Sequence, residues 1–328
     1  MSHATLNSII ARFAGRHVLV IGDVMIDEYV WGNARRISPE APVMVVEVER
    51  ESYMPGGAAN VVNNIQALGG KTSMVGVVGD DEYGLRLREC LFRAGVDAGG
   101  LVVDSSRPTT RKTRIIAHSQ QVVRVDREQS ARLSPSVARG LSSMIEQRLP
   151  TADVVVFSDY DKGVACGPVV RAAIEGARSI GKRVVANLKP GTARQFKSAS
   201  VVTINQFEAE ALSRIAITED RDLDRASARI MKSLKPEALV ITRGPRGMRV
   251  VTGSESEDIP PHLVEVYDAA GAGDTVVSVL ALSLAAGAEI RDAAVLANCA
   301  GAAVVRKVGV ATVTADEIRF LLGEGGSR

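Results

Sequence analysis

The tightest constraint on the fold is one short form that recurs along the chain. HVLVIGD (His17–Asp23), VVVFSD (Val154–Asp159), RVVAN (Arg183–Asn187), SVVTIN (Ser200–Asn205) and ALVITRG (Ala238–Gly244) are apolar runs that close on polar residues or glycine. Runs of this kind suit strands covered by helices on both faces, because a strand with one wet face would alternate. Helical patterns lie between them, among them Pro168–Ile180 and Leu223–Leu234. This spacing predicts an α/β fold, a doubly wound, mostly parallel sheet with helices on both faces. Ligands of such sheets bind beyond the carboxyl ends of the strands, where the polar ends of these runs fall.

Two segments break the rhythm. VMVVEVER (Val43–Arg50) alternates, and TRKTRIIAHSQQVVRVDRE (Thr110–Glu128) reads as two strands around a turn near His118–Gln120. Half-buried antiparallel strands are expected here, either as a small β-sheet lid over the strand ends or as an edge extension of the main sheet. The lid is favoured because Arg111, Lys112, Arg114, Arg124 and Arg127 crowd one hairpin and suit an anionic ligand. A solvated charged face has the same composition. The expected organisation is one domain over residues 1–328, with lid segments near 28–52 and 108–128.

Charge and cysteine usage exclude several function classes. The net charge is +2 with no long basic run, so neither nucleic acid nor a membrane surface is an expected partner. Cys90, Cys166 and Cys299 are widely spaced, and His3, His17, His118 and His262 are scattered. That pattern offers neither a disulfide framework nor a metal knuckle, and it suits a reducing compartment. The N-terminus lacks the apolar core of a signal peptide. Charge-free runs such as Thr275–Ala288 are shorter than the ~18 residues that a membrane span needs. A cytoplasmic location is expected.

Five motifs carry chemistry. In DAAGAGDT (Asp268–Thr275), HLVEVYD reads as a preceding strand with Val264 and Val266 on one face, and a helix begins after Gly273. The free N–H groups of a helix start form an anion hole at Gly271, Ala272 and Gly273. Asp274 is then either a base that deprotonates an acceptor hydroxyl beside a transferred phosphoryl, or an N-cap. In PGGAANVVNNIQALGG (Pro55–Gly70), Gly56 and Gly57 could admit a polyol and Asn60 could bond it, or the glycines serve helix entry alone. Asp23 and Asp27 of GDVMID (Gly22–Asp27) suit sugar hydroxyls, or are exposed turn acids. In NQFE, Asn205 and Glu208 share a helix face and could hold Mg²⁺ through waters, or form a capping box. TRGPRG (Thr242–Gly247) could line a nucleotide or be a plain β-turn.

The order of these motifs resembles the ribokinase-like (phosphofructokinase-B type) sugar kinases over essentially the whole chain. RRISPEAPV (Arg35–Val43) and SDYDKG (Ser158–Gly163) resemble the branch of that family that phosphorylates a heptose 7-phosphate for lipopolysaccharide-core synthesis. The resemblance implies Asp274 as catalytic base and Gly271, Ala272 and Gly273 as anion hole. It implies Asn205 and Glu208 as water-mediated metal support, and Thr242, Gly244, Gly247 and Asn298 as the ATP lining. Asp27, Gly56, Gly57 and Asn60 are implied to hold the sugar, and Lys112, Arg114, Lys162 and Lys189 are the candidate cations for the 7-phosphate. ATP and Mg²⁺ are the expected cofactors, with a monovalent cation such as K⁺ left open, and a homodimer through the lid is expected. Many relatives in that branch carry a fused nucleotidyltransferase with an H-x-G-H motif; this chain has none and ends at Arg328, which implies the kinase alone. Ala270 and Asn187 depart from the family pattern, which favours a β-branched residue and an acid at those places.

Overall fold

A computed structural model describes residues 3–118 and 120–324. In chain order the first part comprises α1 (His3–Ala11), β1 (His17–Gly22), β2 (Val24–Ile37), β3 (Met44–Gly57), α2 (Ala58–Ala67), β4 (Lys71–Val78), α3 (Glu82–Arg93), β5 (Asp97–Val103), β6 (Arg111–Ala117), β7 (Gln120–Arg127) and α4 (Pro135–Arg148). There follow β8 (Val154–Ser158), α5 (Gly167–Ser179), β9 (Val184–Asn187), β10 (Val201–Asn205), α6 (Gln206–Ser213), α7 (Asp220–Leu234), β11 (Ala238–Thr242), β12 (Met248–Thr252), β13 (Glu255–Ile259), α8 (Ala272–Ala285), α9 (Ile290–Val304) and α10 (Ala315–Glu324).

The main sheet runs β13-β12-β11-β10-β9-β8-β1-β4-β5. From β11 to β5 every neighbour pair is parallel, and β12 and β13 close one edge as antiparallel hairpin strands. The apolar runs are unbroken because each strand feeds two cores. In β1, Val18 and Val20 belong to the core that α2, α8 and α9 cover, while Leu19 and Ile21 belong to the core that α4, α5 and α7 cover. All four are fully buried, and each contributes about 1.5–3 kcal/mol relative to exposure. The expected doubly wound architecture is therefore present, with helices on both faces.

The second sheet runs β3-β2-β6-β7. It begins earlier than expected. β2 leaves the main sheet at Val24, immediately after Asp23, so Asp27 lies within the small sheet and not at the end of the first strand. The β2–β6 pair is parallel, because both strands leave the body side by side, with Ile26 N–H donating to Thr110 C=O at 2.9 Å. The other two pairings are antiparallel as expected. β7 is exposed along its whole length, where half-burial was expected.

The expected strand at HLVEVYD does not form. β13 ends at Ile259, and Pro260 and Pro261 follow, which cannot donate to a ladder. Residues 260–271 run as an irregular segment, tied down where Tyr267 and Asp268 N–H donate to Val305 C=O at the end of α9. α8 also starts two residues before the expected point, at Ala272.

Candidate active site

The carboxyl ends of β9, β10 and β11 and the loop after β8 line one cleft with the N-terminus of α8. Gly271 is the N-cap of that helix, with φ +76°, a conformation that glycine adopts without strain. A Cβ on Gly271 would also stand 2.9 Å from Asn60 Nδ2. Asp274 is thus the third helical residue and not the cap, so the competing structural explanation fails on geometry. Its carboxylate is turned away from the helix N–H groups. Oδ1 accepts from the Tyr160 hydroxyl at 2.5 Å, and Oδ2 accepts from Asn60 Nδ2 at 2.8 Å. Asn60 is itself fixed: Asn64 Nδ2 donates to its backbone carbonyl at 2.9 Å, and the Thr275 hydroxyl donates to Asn64 Oδ1 at 2.9 Å.

Asp274 is 5% exposed. Burial pushes its carboxyl up to about 6, against the hydrogen bonds from Tyr160 and Asn60, which pull it down. The Asp27 charge adds to the rise and the Lys189 charge opposes it. Tyr160 is driven well above its ordinary range by burial and by Asp274, so it stays a donor. A carboxylate with ordered partners and a proton affinity close to neutral is suited to accept a proton from a hydroxyl.

The loop that brings Tyr160 here is built by two other acids. Asp23 is buried and accepts three backbone N–H groups: Tyr160 at 2.8 Å, Lys162 at 3.1 Å and Val164 at 3.1 Å. Burial pushes its carboxyl up to about 6 despite those donors. Asp23 therefore shapes the site from behind, and its expected contact with sugar hydroxyls is replaced by this structural one. Asp159 accepts Asp161 N–H at 2.8 Å, Lys189 N–H at 2.9 Å and the Thr192 hydroxyl, and so joins the loops after β8 and β9.

Asn205 and Glu208 do form a capping box at the start of α6. Asn205 Oδ1 accepts Glu208 N–H at 2.9 Å, and Glu208 Oε2 accepts Asn205 N–H at 2.8 Å. The second Glu208 oxygen meets Lys189 Nζ at 2.5 Å. These groups line a cleft of about 140 Å³ with Gly271, Gly273 and Asp274. Among the described residues no group of three or more His, Cys, Asp or Glu side chains could cage a metal ion. An ion held through waters by one carboxylate and one amide, with the remaining positions filled by phosphate oxygens, is compatible with this arrangement.

Beside this cleft lies a mostly apolar cavity of about 360 Å³. Thr242, Gly244, Gly247 and Asn298 all line it, and Thr242, Gly273 and Val276 are shared between the two spaces. Val264, Val266 and Ala272 supply apolar wall. The irregular course of residues 260–271, which replaces the expected strand, is what forms this wall. Asn298 is held by donating to Pro260 C=O at 2.8 Å.

On the lid side, Arg114 pairs with Asp27 at 2.5 Å. Gly56 is needed by the protein itself: a Cβ there would fall 2.2 Å from Asp27 Oδ2. The expectation that Gly56 leaves room for a polyol is corrected accordingly, since the Asp27 carboxylate fills that place. Gly57 likewise packs against Asp23 C=O and Met25. The four candidate cations are all paired. Lys112 meets Asp126 and Glu128, Lys162 meets Glu128, Lys189 meets Glu208, and Arg114 meets Asp27. Sequence reading passed over Tyr160 and Glu128. Tyr160 could have been found from its place directly after a strand's carboxyl end, between two acids; Glu128 had no local signal.

A two-sheet α/β body with this arrangement is the ribokinase-like kinase fold. Escherichia coli phosphofructokinase-2, solved in complex with potassium, superposes with TM-score 0.76 at 20% identity, covering 95% of this chain and 99% of that one. Arabidopsis thaliana ribokinase, solved with ribose and ATP, superposes with TM-score 0.71 at 18% identity, covering 94% and 99%. The chain belongs to the pfkB family of carbohydrate kinases, whose model matches residues 16–317. It is thereby a member of a phosphotransferase family whose acceptor is a sugar hydroxyl. Among curated proteins it is similar to bifunctional protein HldE of Caulobacter vibrioides, 45% identical over 310 residues, covering 93% of this chain and 63% of that protein. HldE of Geobacter sulfurreducens is 42% identical over 333 residues, covering 100% and 68%, and that of Desulfatibacillum aliphaticivorans is 42% identical over 314 residues, covering 95% and 64%. The chain thus spans about two thirds of the length of the curated relatives it matches.

Proposed function

We propose that the chain is an ATP-dependent kinase. It transfers the γ-phosphoryl to the anomeric hydroxyl of D-glycero-β-D-manno-heptose 7-phosphate, giving the 1,7-bisphosphate used to build ADP-heptose for the lipopolysaccharide core. The observation that carries this reading is Asp274: buried, ordered by Asn60 and Tyr160, and placed where a helix start meets the junction of two cavities. The HldE relatives and the RRISPEAPV and SDYDKG stretches support the heptose assignment. The proposal covers residues 1–328 as one kinase unit, with its lid near 28–52 and 108–128, working in the cytoplasm.

Asp274 takes the proton from the acceptor hydroxyl, and the N–H groups at Gly271, Ala272 and Gly273 receive the charge developing on the phosphoryl oxygens. Thr242, Gly244, Gly247 and Asn298 bound the nucleotide. Asp27 and Asn60 bind the sugar, and Gly56 leaves the Asp27 carboxylate the room it occupies. Lys189 and Arg114 complete the cationic surroundings. Mg²⁺, held through waters by Asn205 and Glu208, would supply charge neutralisation at the phosphates. By analogy with the potassium-containing phosphofructokinase-2, K⁺ is proposed to raise the rate, which replacing K⁺ salts with tetramethylammonium would test.

The reading is tested by ADP formation with heptose 7-phosphate, fructose 6-phosphate and ribose side by side. Heptose 7-phosphate is expected to be turned over with the highest kcat/KM; a preference for either other sugar would replace it with another activity of the same family. ADP-free binding would point instead to a sensor.

Tyr160 acts as a positioning residue for the base. Its hydroxyl stabilises the ionised Asp274, so kcat/KM should rise with pH through a midpoint near 6. In Tyr160→Phe that midpoint should move upward, because a donor to the charged form is lost. A pH–rate profile with an unmoved midpoint would reduce Tyr160 to packing.

The homodimer is proposed to form through the outer face of the small sheet, where Val123 is 45% and Val125 is 52% exposed. Val123→Asp should convert a dimer into a monomer in analytical ultracentrifugation. A wild-type protein that sediments as a monomer would contradict the pairing.

A further inference from the structure

The proposed function leaves open what recognises the phosphate that such a substrate carries at its far end. One cluster is arranged for this. Glu128 is gripped from two sides: Lys162 Nζ lies 2.7 Å from Oε1 and Lys112 Nζ lies 3.2 Å from Oε2. Lys112 belongs to β6 of the small sheet and Lys162 to the loop after β8, so a single anion here ties the lid to the body. We propose that the anion position between Lys112 and Lys162, held by Glu128 in this structure, is the subsite for a phosphomonoester on the sugar. The substrate's phosphate and the Glu128 carboxylate compete for it. The inference rests on the sugar-phosphate reading and deepens it.

Four observations carry it. The place is right: Lys112 is the register neighbour of Asp27 in the small sheet, and Lys162 follows Tyr160, which holds Asp274, by two residues. The frame is fixed: Arg107 donates to the Lys162 carbonyl at 2.9 Å and to the Ala131 carbonyl at 2.9 Å, and its Nε is 3.0 Å from Asp104. Glu128 is free to leave: it follows the last residue of β7, outside any ladder, so its displacement breaks no sheet hydrogen bond. The charge favours a dianion. Once Glu128 leaves, Lys162 loses its ion pair, and the cluster's three cations, Lys112, Lys162 and Arg124, are left with the Asp126 carboxylate, which meets Lys112 at 2.9 Å and Arg124 at 2.9 Å. A phosphate dianion restores neutrality there, whereas an uncharged hydroxyl cannot displace the carboxylate at all. Glu128 thereby acts as a filter that an unphosphorylated sugar does not pass.

The test is calorimetric titration of inorganic phosphate into the full chain and its variants. Glu128→Gln should bind phosphate about tenfold more tightly, and Lys162→Met and Lys112→Met about tenfold more weakly, the scale of one charge-assisted hydrogen bond. Lys162→Arg, which keeps the charge, should retain binding. In kinetics, the two methionine variants should raise KM for a phosphorylated acceptor far more than for an unphosphorylated one. Phosphate affinity unchanged in both methionine variants, or no tighter in Glu128→Gln, would make the cluster a structural tie and overturn the proposal. The titration needs neither ATP nor heptose. A protein that binds phosphate in this pattern but turns over no heptose phosphate would retire the heptose assignment and keep the subsite.

Discussion

Asp274→Asn is expected to lower kcat by about a thousandfold, the range set by loss of a positioned base, while the protein becomes more stable at alkaline pH. The two effects share one cause. A carboxyl pushed from its ordinary 3.8 to about 6 costs about 3 kcal/mol to ionise inside the fold. Its folded value lies above its unfolded one, so the native state binds the extra proton between those limits. The cost is absent below 3.8, grows as pH rises, and is fully present above 6. Asparagine never ionises, and its amide oxygen can still accept from Asn60. The variant should therefore melt higher than the wild type at pH 8 and no higher at pH 3.5. Thermal denaturation at both values, beside an ADP-coupled assay, separates the roles: near-normal turnover would return Asp274 to a structural part.

Asp23→Ala should be the most damaging single change to the loop that carries Tyr160 and Lys162. Its carboxylate satisfies three backbone donors of that loop. Alanine leaves those N–H groups without their acceptor in a buried place, and each orphaned donor costs about 1–3 kcal/mol. Water entering the gap would recover part of this, so a net loss of about 3–5 kcal/mol is expected from urea denaturation. Activity should fall with it even where the chain stays folded, because Tyr160 no longer reaches Asp274. The removed carboxyl is itself costly to ionise, being pushed up to about 6 by burial, so the loss should be larger at pH 5 than at pH 8. A stable variant with unchanged Tyr160-dependent pH behaviour would show that the loop holds its own shape.

These two residues also mark what a single sequence reveals. The main sheet was legible because an apolar run without alternation has one physical explanation, burial on both faces, and β1 bears it out residue by residue. The glycine at the start of α8 was legible for the same reason: its conformation is a local property. Partners were not. Asp274 is held by residues 114 and 214 positions away, and no local pattern encodes such a pairing. HLVEVYD alternates like a strand, but two prolines just before it leave no ladder to join, so the same apolar residues line a cavity instead. Asp23 and Asp27 looked equivalent in GDVMID. The change of sheet at Asp23 separates their fates: Asp23 supports a loop from behind, and Asp27 lies in the small sheet against Arg114. The Asn205–Glu208 spacing fits both a cap and an ion site, and the structure shows the cap without removing Glu208 from the cleft.

We propose that this site moves a phosphoryl group onto the anomeric oxygen of a sugar phosphate. Phosphorus NMR of the product formed from ATP and D-glycero-β-D-manno-heptose 7-phosphate tests it most directly. ADP and one new phosphomonoester signal coupled to the anomeric proton are expected, formed by the wild type and nearly absent with Asp274→Asn. A phosphate on any other carbon, or ADP released with only inorganic phosphate, would contradict it.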